Sequence, residues 1–321
     1  MYCPRIEHYV RLNSRGTIGN CGHMIEKQHF ANLEEMQQSE WRKNISSKMD
    51  KDIWPDECIR CKQTEQLNGT SIRLGSIKRD KILKMFNTNY LQVAGTLDNY
   101  CNAACVSCDS KLSTTIGKLK KELVVKNNYD LYKNLPLDRI VEIDINGGEP
   151  SISVNYNKLL DDLPTSVKII RINTNANRRI KQLINLLKQG KTIIVTVSLD
   201  GLDEVHEYMR YPIKWNTFED NLMYYKEIST QYKNMKLDTW TTVSCLNIQY
   251  LEQIQLYCKK HEIRHQFAFL DHPDPLNVKY KNWFTKNVDM ENVGIDKDNT
   301  ETLNAFLQFE EACRPNIKRY W

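Results

Sequence analysis

The chain has 321 residues, 40% of them hydrophobic and 26% charged, which predicts a soluble globular protein and excludes a disordered one. No stretch reaches the roughly 18 apolar residues that a membrane span needs, and residues 1–16 lack a signal-peptide core, so we expect a cytoplasmic protein without membrane contact. The net charge of +5 allows an acidic partner but gives no clear indication of nucleic-acid binding.

The first 85 residues are polar, contain four cysteines and are poor in strand-like runs. One amphipathic helix is predicted over residues 32–49, followed by a loop around Pro55 and a turn-rich stretch over residues 69–75. We therefore expect residues 1–85 to form a small domain that precedes the main fold.

From residue 86 onward, strand-like runs alternate with helical patterns. The alternation predicts a parallel sheet with crossover helices, either doubly wound or an α/β partial (β/α)6 TIM-type barrel. In both architectures the chemistry lies at the carboxyl ends of the strands. We assign residues 86–275 to this domain and residues 276–321 to a C-terminal helical extension, with a helix over 300–313. The predicted strands are residues 91–96, 140–145, 167–172, 193–199, 236–243 and 266–270.

A cysteine triplet follows the first of these strands. Cys101, Cys105 and Cys108 have the spacing C-x3-C-x2-C, which allows three thiolates to bind three irons of one 4Fe–4S cluster. The loop has no fourth cysteine, so one iron keeps a free position, as a catalytic metal does. A structural zinc site uses four ligands, commonly in C-x-x-C pairs, and fits this spacing poorly. The triplet therefore predicts a catalytic iron–sulfur site.

The triplet resembles the signature of the radical S-adenosylmethionine (SAM) superfamily, and further motifs of that family follow in order. Gly147, Gly148 and Glu149, after the second strand, are similar to the GGEP motif, which implies that they hold the amino group of SAM. Thr174 and Asn175, after the third strand, take the place of polar SAM contacts in the family.

The resemblance continues at the next two strands. Ser198 and Asp200 end the fourth strand and are similar to the family's S-x-D motif, which implies contact with the ribose of SAM. Arg210 resembles an arginine that binds the SAM carboxylate through its guanidinium fork. Val243, at the end of the fifth strand, is expected beside adenine. No single motif is specific, but their joint occurrence in family order is.

The resemblance implies an enzyme that cleaves SAM reductively to a 5′-deoxyadenosyl radical, which abstracts hydrogen from a substrate. It also implies a flavodoxin or ferredoxin as the electron donor. Four lysines that follow the triplet either attract such an acidic protein or form an ordinary solvated face. They are Lys111, Lys118, Lys120 and Lys121.

A second cysteine group lies in the N-terminal segment. Cys3, Cys21 and the C-x-x-C pair Cys58 and Cys61 suit a second 4Fe–4S cluster or an all-cysteine zinc site, and spacing alone does not choose between them. The segment resembles a twitch-type auxiliary-cluster domain, a shortened relative of the SPASM domain, here placed before the core. That resemblance implies a second 4Fe–4S cluster.

Three cysteines stand apart from these groups. Cys258 and Cys313 are expected to be core residues, while Cys245, just past the fifth strand, is a candidate catalytic hydrogen donor or substrate contact. The sequence from His261 to His265 matches H-E-x-x-H, but it falls where a helix ends and a strand begins, so we do not expect a zinc site.

The substrate is less well indicated than the chemistry. Twitch- and SPASM-type relatives commonly modify peptides, which favours a peptide or protein side chain. The same chemistry on a small molecule, such as a sugar, nucleoside or amino-acid derivative, is the first alternative. A zinc-stabilised binding module without catalysis is the second.

Overall fold

A computed structural model describes residues 1–270 and 276–278. The predicted helix over residues 300–313, Cys313 and nearly all of the predicted C-terminal extension lie outside the described residues.

One sheet of eight strands organises the described chain. The strands are β1 (Tyr9–Asn13), β2 (Thr17–Gly19), β3 (Leu91–Thr96), β4 (Ile140–Asn146), β5 (Ile169–Thr174), β6 (Thr192–Ser198), β7 (Met235–Val243) and β8 (Arg264–Phe269). Their order is β2-β1-β3-β4-β5-β6-β7-β8, and every neighbouring pair is parallel except β1 and β2. From β3 to β8 the order never reverses, whereas a doubly wound sheet reverses at its switch point. The α/β fold is therefore the partial barrel.

Helices connect the strands of this sheet. They are α1 (Pro4–His8), α2 (Leu33–Gln38), α3 (Glu40–Asp50), α4 (Ile59–Asn68), α5 (Ile72–Lys84), α6 (Thr114–Leu119), α7 (Tyr129–Lys133), α8 (Val154–Asp161), α9 (Leu183–Lys188), α10 (Asp203–Met209), α11 (Trp215–Gln231) and α12 (Leu251–Lys260).

The six predicted strands are confirmed as β3–β8, and no bound differs from its prediction by more than two residues. The central strands β4–β7 are rich in β-branched residues and have fully buried side chains, such as Ile143, Ile170 and Val195, whereas β8 (R-H-Q-F-A-F) is largely exposed. Alternate positions point to the other side of the sheet. There the strand ends place polar pairs side by side, because Thr96 aligns with Asn146 and Asn173 with Thr196.

The N-terminal segment differs from its prediction in two ways. It contains β1 and β2, and β1 extends the main sheet by pairing with β3, with Val10 opposite Val93. The alternation of Val10 and Leu12, both fully buried, was the signal for β1. The helix predicted over residues 32–49 is two helices, because Ser39 has extended backbone (ψ 138°) and its hydroxyl caps α3 by accepting from the Arg42 amide.

Candidate active site

Loops at the carboxyl ends of four neighbouring strands, β3 to β6, surround one open cleft of about 740 Å³. The cleft contains all three cysteines of the triplet and seven of the nine predicted SAM contacts. It also contains Asn146 and Asn173, which the sequence analysis missed. Each asparagine is at the end of a strand, faces inward and stands directly before a predicted motif, and this position could have identified it. The cleft is lined by Cys101, Cys105, Ser107, Cys108, Leu112, Asn146, Gly147, Gly148, Glu149, Asn173, Thr174, Asn175, Ser198 and Arg210.

Backbone hydrogen bonds hold the cysteine loop against the segment that carries Arg210. The Ala104 amide donates to the Tyr211 carbonyl (2.6 Å), and the Val106 amide donates to the Met209 carbonyl (2.9 Å). Burial raises the pKa of Cys101 to about 12, and burial also raises that of Cys108, to which the neighbouring Cys105 contributes. Metal binding would release these protons, since thiolate is the ligand form.

The glycine pair packs directly on the chain that leads into the cysteine loop. The Gly148 amide donates to the Asp98 carbonyl (2.9 Å), and the Glu149 amide donates to the Tyr100 carbonyl (2.6 Å). Gly147 has φ +144°, and a Cβ at Gly148 would lie 1.9 Å from the Tyr100 oxygen. Only glycine permits this approach.

Glu149 is a buried carboxylate surrounded by neutral donors. Its oxygens accept from the Thr174 hydroxyl (2.6 Å), the Asn175 amide (2.7 Å) and the Ser151 hydroxyl (2.7 Å). Burial raises its pKa, while these hydrogen bonds act in the opposite direction. Among the described residues, no cationic side chain forms a hydrogen bond or an ion pair with the Glu149 carboxylate. A ligand ammonium group would supply the missing positive charge.

Arg210 joins the cysteine loop to the end of β6. Its Nη2 lies 2.8 Å from Asp200 Oδ2, and its Nη1 donates to Cys105 Sγ at 3.6 Å. Asp200 does not line the cleft itself; it is fully buried and also accepts from the Thr242 amide (2.8 Å). The guanidinium therefore brings positive charge beside the cysteine sulfurs and keeps an edge toward the cleft.

Two predicted site residues lie away from this cleft. Val243 is fully buried against Ile248 and Val278. Cys245 is fully buried in a cluster that includes Val106 and Met209, and burial raises its pKa to about 12, which disfavours a reactive thiolate. In this part of the chain the side chains at both positions pack in apolar surroundings.

The four N-terminal cysteines line a second, separate cavity of about 340 Å³. The Arg5 Nη1 donates to Cys21 Sγ at 3.6 Å. Burial raises the pKa of Cys3 and Cys58 to about 12, and each is close enough to other members of the group to be affected by their charge. Cys61 lies in α4, one turn from Cys58. The structure therefore brings together four residues that are up to 58 positions apart in sequence.

Several other observations concern metals and membranes. Within residues 1–270 and 276–278, no three His, Cys, Asp or Glu side chains converge as the ligands of a single metal ion. In the H-E-x-x-H match, α12 ends at Lys260 and His265 lies in β8, so the two histidines do not share a helix, as predicted. No helix in the described ranges is long and apolar enough to cross a membrane.

A family model matches the part of the chain that contains the cleft, and known proteins are similar over part of the chain. The family described as "Radical SAM superfamily" matches residues 97–241. The mycofactocin maturase MftC of Mycolicibacterium smegmatis is 28% identical over 111 residues, which is 34% of this chain and 28% of MftC. The antilisterial bacteriocin subtilosin biosynthesis protein AlbA of Bacillus subtilis is 32% identical over 117 residues, or 36% of this chain and 25% of AlbA. Each match thus spans about a quarter of the relative.

Two solved structures match the chain at low identity and low TM-score. Streptococcus suis SuiB bound to precursor peptide SuiA is 16% identical, covers 97% of this chain and 70% of that chain, and has a TM-score of 0.45. Native anSMEcpe with bound AdoMet is 15% identical, covers 56% and 52%, and has a TM-score of 0.43.

Proposed function

We propose that the chain is a radical SAM enzyme, which uses SAM and a 4Fe–4S cluster to abstract hydrogen from a peptide or protein side chain; the match of residues 97–241 to the radical SAM superfamily supports this. The observation that carries this proposal is the single cleft in which three cysteines face the buried carboxylate of Glu149.

Cys101, Cys105 and Cys108 are the residues that would hold the cluster. Three thiols from one short loop line the cleft, and no other cysteine of the described chain does. Arg210 reaches Cys105 Sγ with a guanidinium N–H, a donor that suits a thiolate sulfur. When bound together, the cluster and SAM supply reductive cleavage of SAM to a 5′-deoxyadenosyl radical.

The remaining cleft residues would bind and orient SAM. Glu149 accepts from the SAM ammonium, and Thr174 and Asn175 hold that carboxylate in place through their own hydrogen bonds. Ser198 contributes a hydroxyl at the end of β6. Arg210, fixed by Asp200, presents its positive charge to the SAM carboxylate. The Gly147–Gly148 backbone keeps this wall of the cleft close to the cysteine loop.

We propose that residues 1–85 form a twitch-like auxiliary domain with a second 4Fe–4S cluster on Cys3, Cys21, Cys58 and Cys61. The common cavity of the four cysteines supports this, since all four thiols face one site and a 4Fe–4S cluster takes four cysteine ligands. Residues 86–275 would be the catalytic core. An all-cysteine zinc site in residues 1–85 is the alternative.

A peptide substrate is supported by the two curated relatives, which are named as a maturase and as a bacteriocin biosynthesis protein. A small-molecule substrate remains the alternative. We expect a flavodoxin or ferredoxin as the electron donor, because the chemistry consumes a low-potential electron.

The decisive experiment is anaerobic reconstitution with iron and sulfide, followed by dithionite and SAM. We expect about eight irons per chain if both sites hold cubane clusters, and formation of 5′-deoxyadenosine. Cys105→Ala should abolish 5′-deoxyadenosine formation. Cys258→Ala should retain it, because that thiol is buried beside Thr239, away from both cavities. A reconstituted wild type that binds iron but never releases 5′-deoxyadenosine would refute the proposal.

A further inference from the structure

A group of exposed hydrophobic side chains follows the cysteine triplet in the chain, and one of them, Leu112, lines the cleft. Five of them lie between residues 112 and 125, and Val124 and Val125 are 58% and 52% exposed. Contiguous exposed apolar surface of this kind commonly marks an interaction site. The five are Leu112, Leu119, Leu123, Val124 and Val125.

The backbone on either side of Val125 is hydrogen-bonded in the pattern of a paired β-strand. The Asn99 side-chain amide donates to the Val124 carbonyl (2.6 Å), and its oxygen accepts from the Lys126 amide (2.9 Å). A residue in a parallel strand bonds its neighbour in this way, to the carbonyl of one residue and the amide two positions later. Asn99 therefore mimics a paired strand, and residues 124 and 126 face it.

Residues 123 and 125 face the opposite side, because backbone polar groups alternate along an extended chain. Within the described ranges neither Leu123 nor Val125 has a backbone hydrogen bond. The outward backbone groups of Leu123 and Val125 are thus unpaired, and we call residues 122–126, which carry them, the docking edge. The Glu122 amide at its start donates to the Gly117 carbonyl (2.8 Å). Unpaired edges are templates for the addition of another strand.

The charges around the docking edge select the kind of strand that it would accept. Residues 109–126 contain five lysines and two acidic residues, a net charge of +3. Of the two acidic side chains, Glu122 accepts a hydrogen bond from the Ser110 hydroxyl (3.1 Å). Lys111, Lys118 and Lys121 are exposed. An occupant with acidic and apolar side chains is complementary to this surface.

Helix α6, which precedes the docking edge, is joined at its start to the cysteine loop. The Thr115 hydroxyl donates to the Cys101 carbonyl (2.7 Å), and the Ser113 hydroxyl donates to the Ala103 carbonyl (2.6 Å). Leu112, one of the five exposed side chains, lines the cleft. The docking edge, held by Asn99 two residues before Cys101, and the cleft-lining Leu112 are therefore both attached to the chain around the cysteine loop.

We propose that the docking edge binds an extended, acidic segment of a peptide substrate by strand addition, outside the residue that reacts. This inference rests on the proposed function, because it assumes a peptide substrate. An acidic electron-transfer protein would be attracted by the same lysines, but it would not need an unpaired backbone edge. The backbone geometry therefore favours the peptide.

The test measures fluorescence anisotropy of labelled octapeptides with the reconstituted enzyme. The probe is an octapeptide of alternating glutamate and valine, compared with its lysine–valine counterpart and with an acidic version N-methylated on one edge. We expect the acidic peptide to bind best and N-methylation to weaken it. Val125→Pro should weaken binding about fivefold, because it removes one outward amide donor. Lys118→Glu should weaken it about threefold without altering the backbone.

Val154→Pro is the matched control. Val154 is 64% exposed at the first position of α8, where proline is tolerated, so binding should be unchanged. Equal affinity of the wild type and Val125→Pro, or of the plain and N-methylated peptides, would overturn the inference. The inference would also be overturned if reduced flavodoxin, but not dithionite, reduced Val125→Pro more slowly than the wild type while peptide binding stayed unchanged. Dithionite-driven 5′-deoxyadenosine formation in the same samples tests the proposed function separately.

Discussion

Gly148→Ala should damage the proposed SAM site through steric contact alone. The new Cβ would lie 1.9 Å from the Tyr100 carbonyl oxygen, 2.4 Å from its carbon and 2.7 Å from its nitrogen. All three atoms are backbone, so no side-chain rotation relieves the contact. Real Cβ atoms essentially never approach another heavy atom closer than 3.0 Å. The Gly147–Glu149 loop and the chain entering the cysteine loop must therefore move apart by at least about 1 Å.

Such a shift affects both stability and chemistry. Overpacking of this kind costs about 1–3 kcal/mol in free energy of unfolding. A displacement of about 1 Å between reacting groups lowers rates about 100-fold, so 5′-deoxyadenosine formation should fall by that factor. The assays are urea unfolding followed by circular dichroism, and single-turnover 5′-deoxyadenosine release by the reconstituted enzyme.

Gly75→Ala is the control for the same chemical change. Gly75 lies exposed in α5, and a Cβ there would meet nothing within 4 Å. Alanine is the better helix former, so this variant should be about 0.5–1 kcal/mol more stable and fully active. If Gly148→Ala matched the wild type in both assays, the close approach of the two loops would not matter and the reasoning would be refuted.

Three further predictions concern buried charged or titratable groups. Glu149→Gln keeps the shape of the side chain but loses its charge, so equilibrium dialysis should show SAM affinity reduced about 10- to 100-fold with unfolding unchanged; unaltered affinity would contradict the ammonium contact. Glu142→Ala removes a carboxylate in the barrel interior that two arginines share, with contacts of 2.6 and 2.7 Å, and should lower the free energy of unfolding in urea by about 3 kcal/mol. Glu40→Ala, which breaks an exposed ion pair, should lower it by less than about 1 kcal/mol. Burial and nearby Arg210 lower the pKa of His206 well below its usual value, so the unfolded state takes up its proton first. The free energy of unfolding should therefore fall as pH drops below about 6.5, and His206→Phe should flatten that part of the profile; identical profiles would refute this.

The local pattern of the sequence was sufficient for the strands and for the residues grouped along them. Strand-like runs identified β3–β8 to within two residues. In the central strands β4–β7 the signal is a run of β-branched apolar residues, because a parallel strand has at least one face covered by helices. Motifs at consecutive strand ends, from Cys101 to Ser198, were expected together because parallel strands bring their carboxyl ends to one edge. That expectation needs no knowledge of packing.

Only the tertiary structure decided what depends on distant parts of the chain. The short β1 is stabilised as a strand by β3, 80 residues away, and Ser39 divides a helix whose pattern looked continuous. Asp200 was predicted to contact SAM but is buried behind Arg210, while Val243, the last residue of β7, and Cys245, just past it, face an apolar interior. Periodicity reports which faces of an element are apolar; the direction of a side chain beyond a strand's last residue depends on the loops that fold over it.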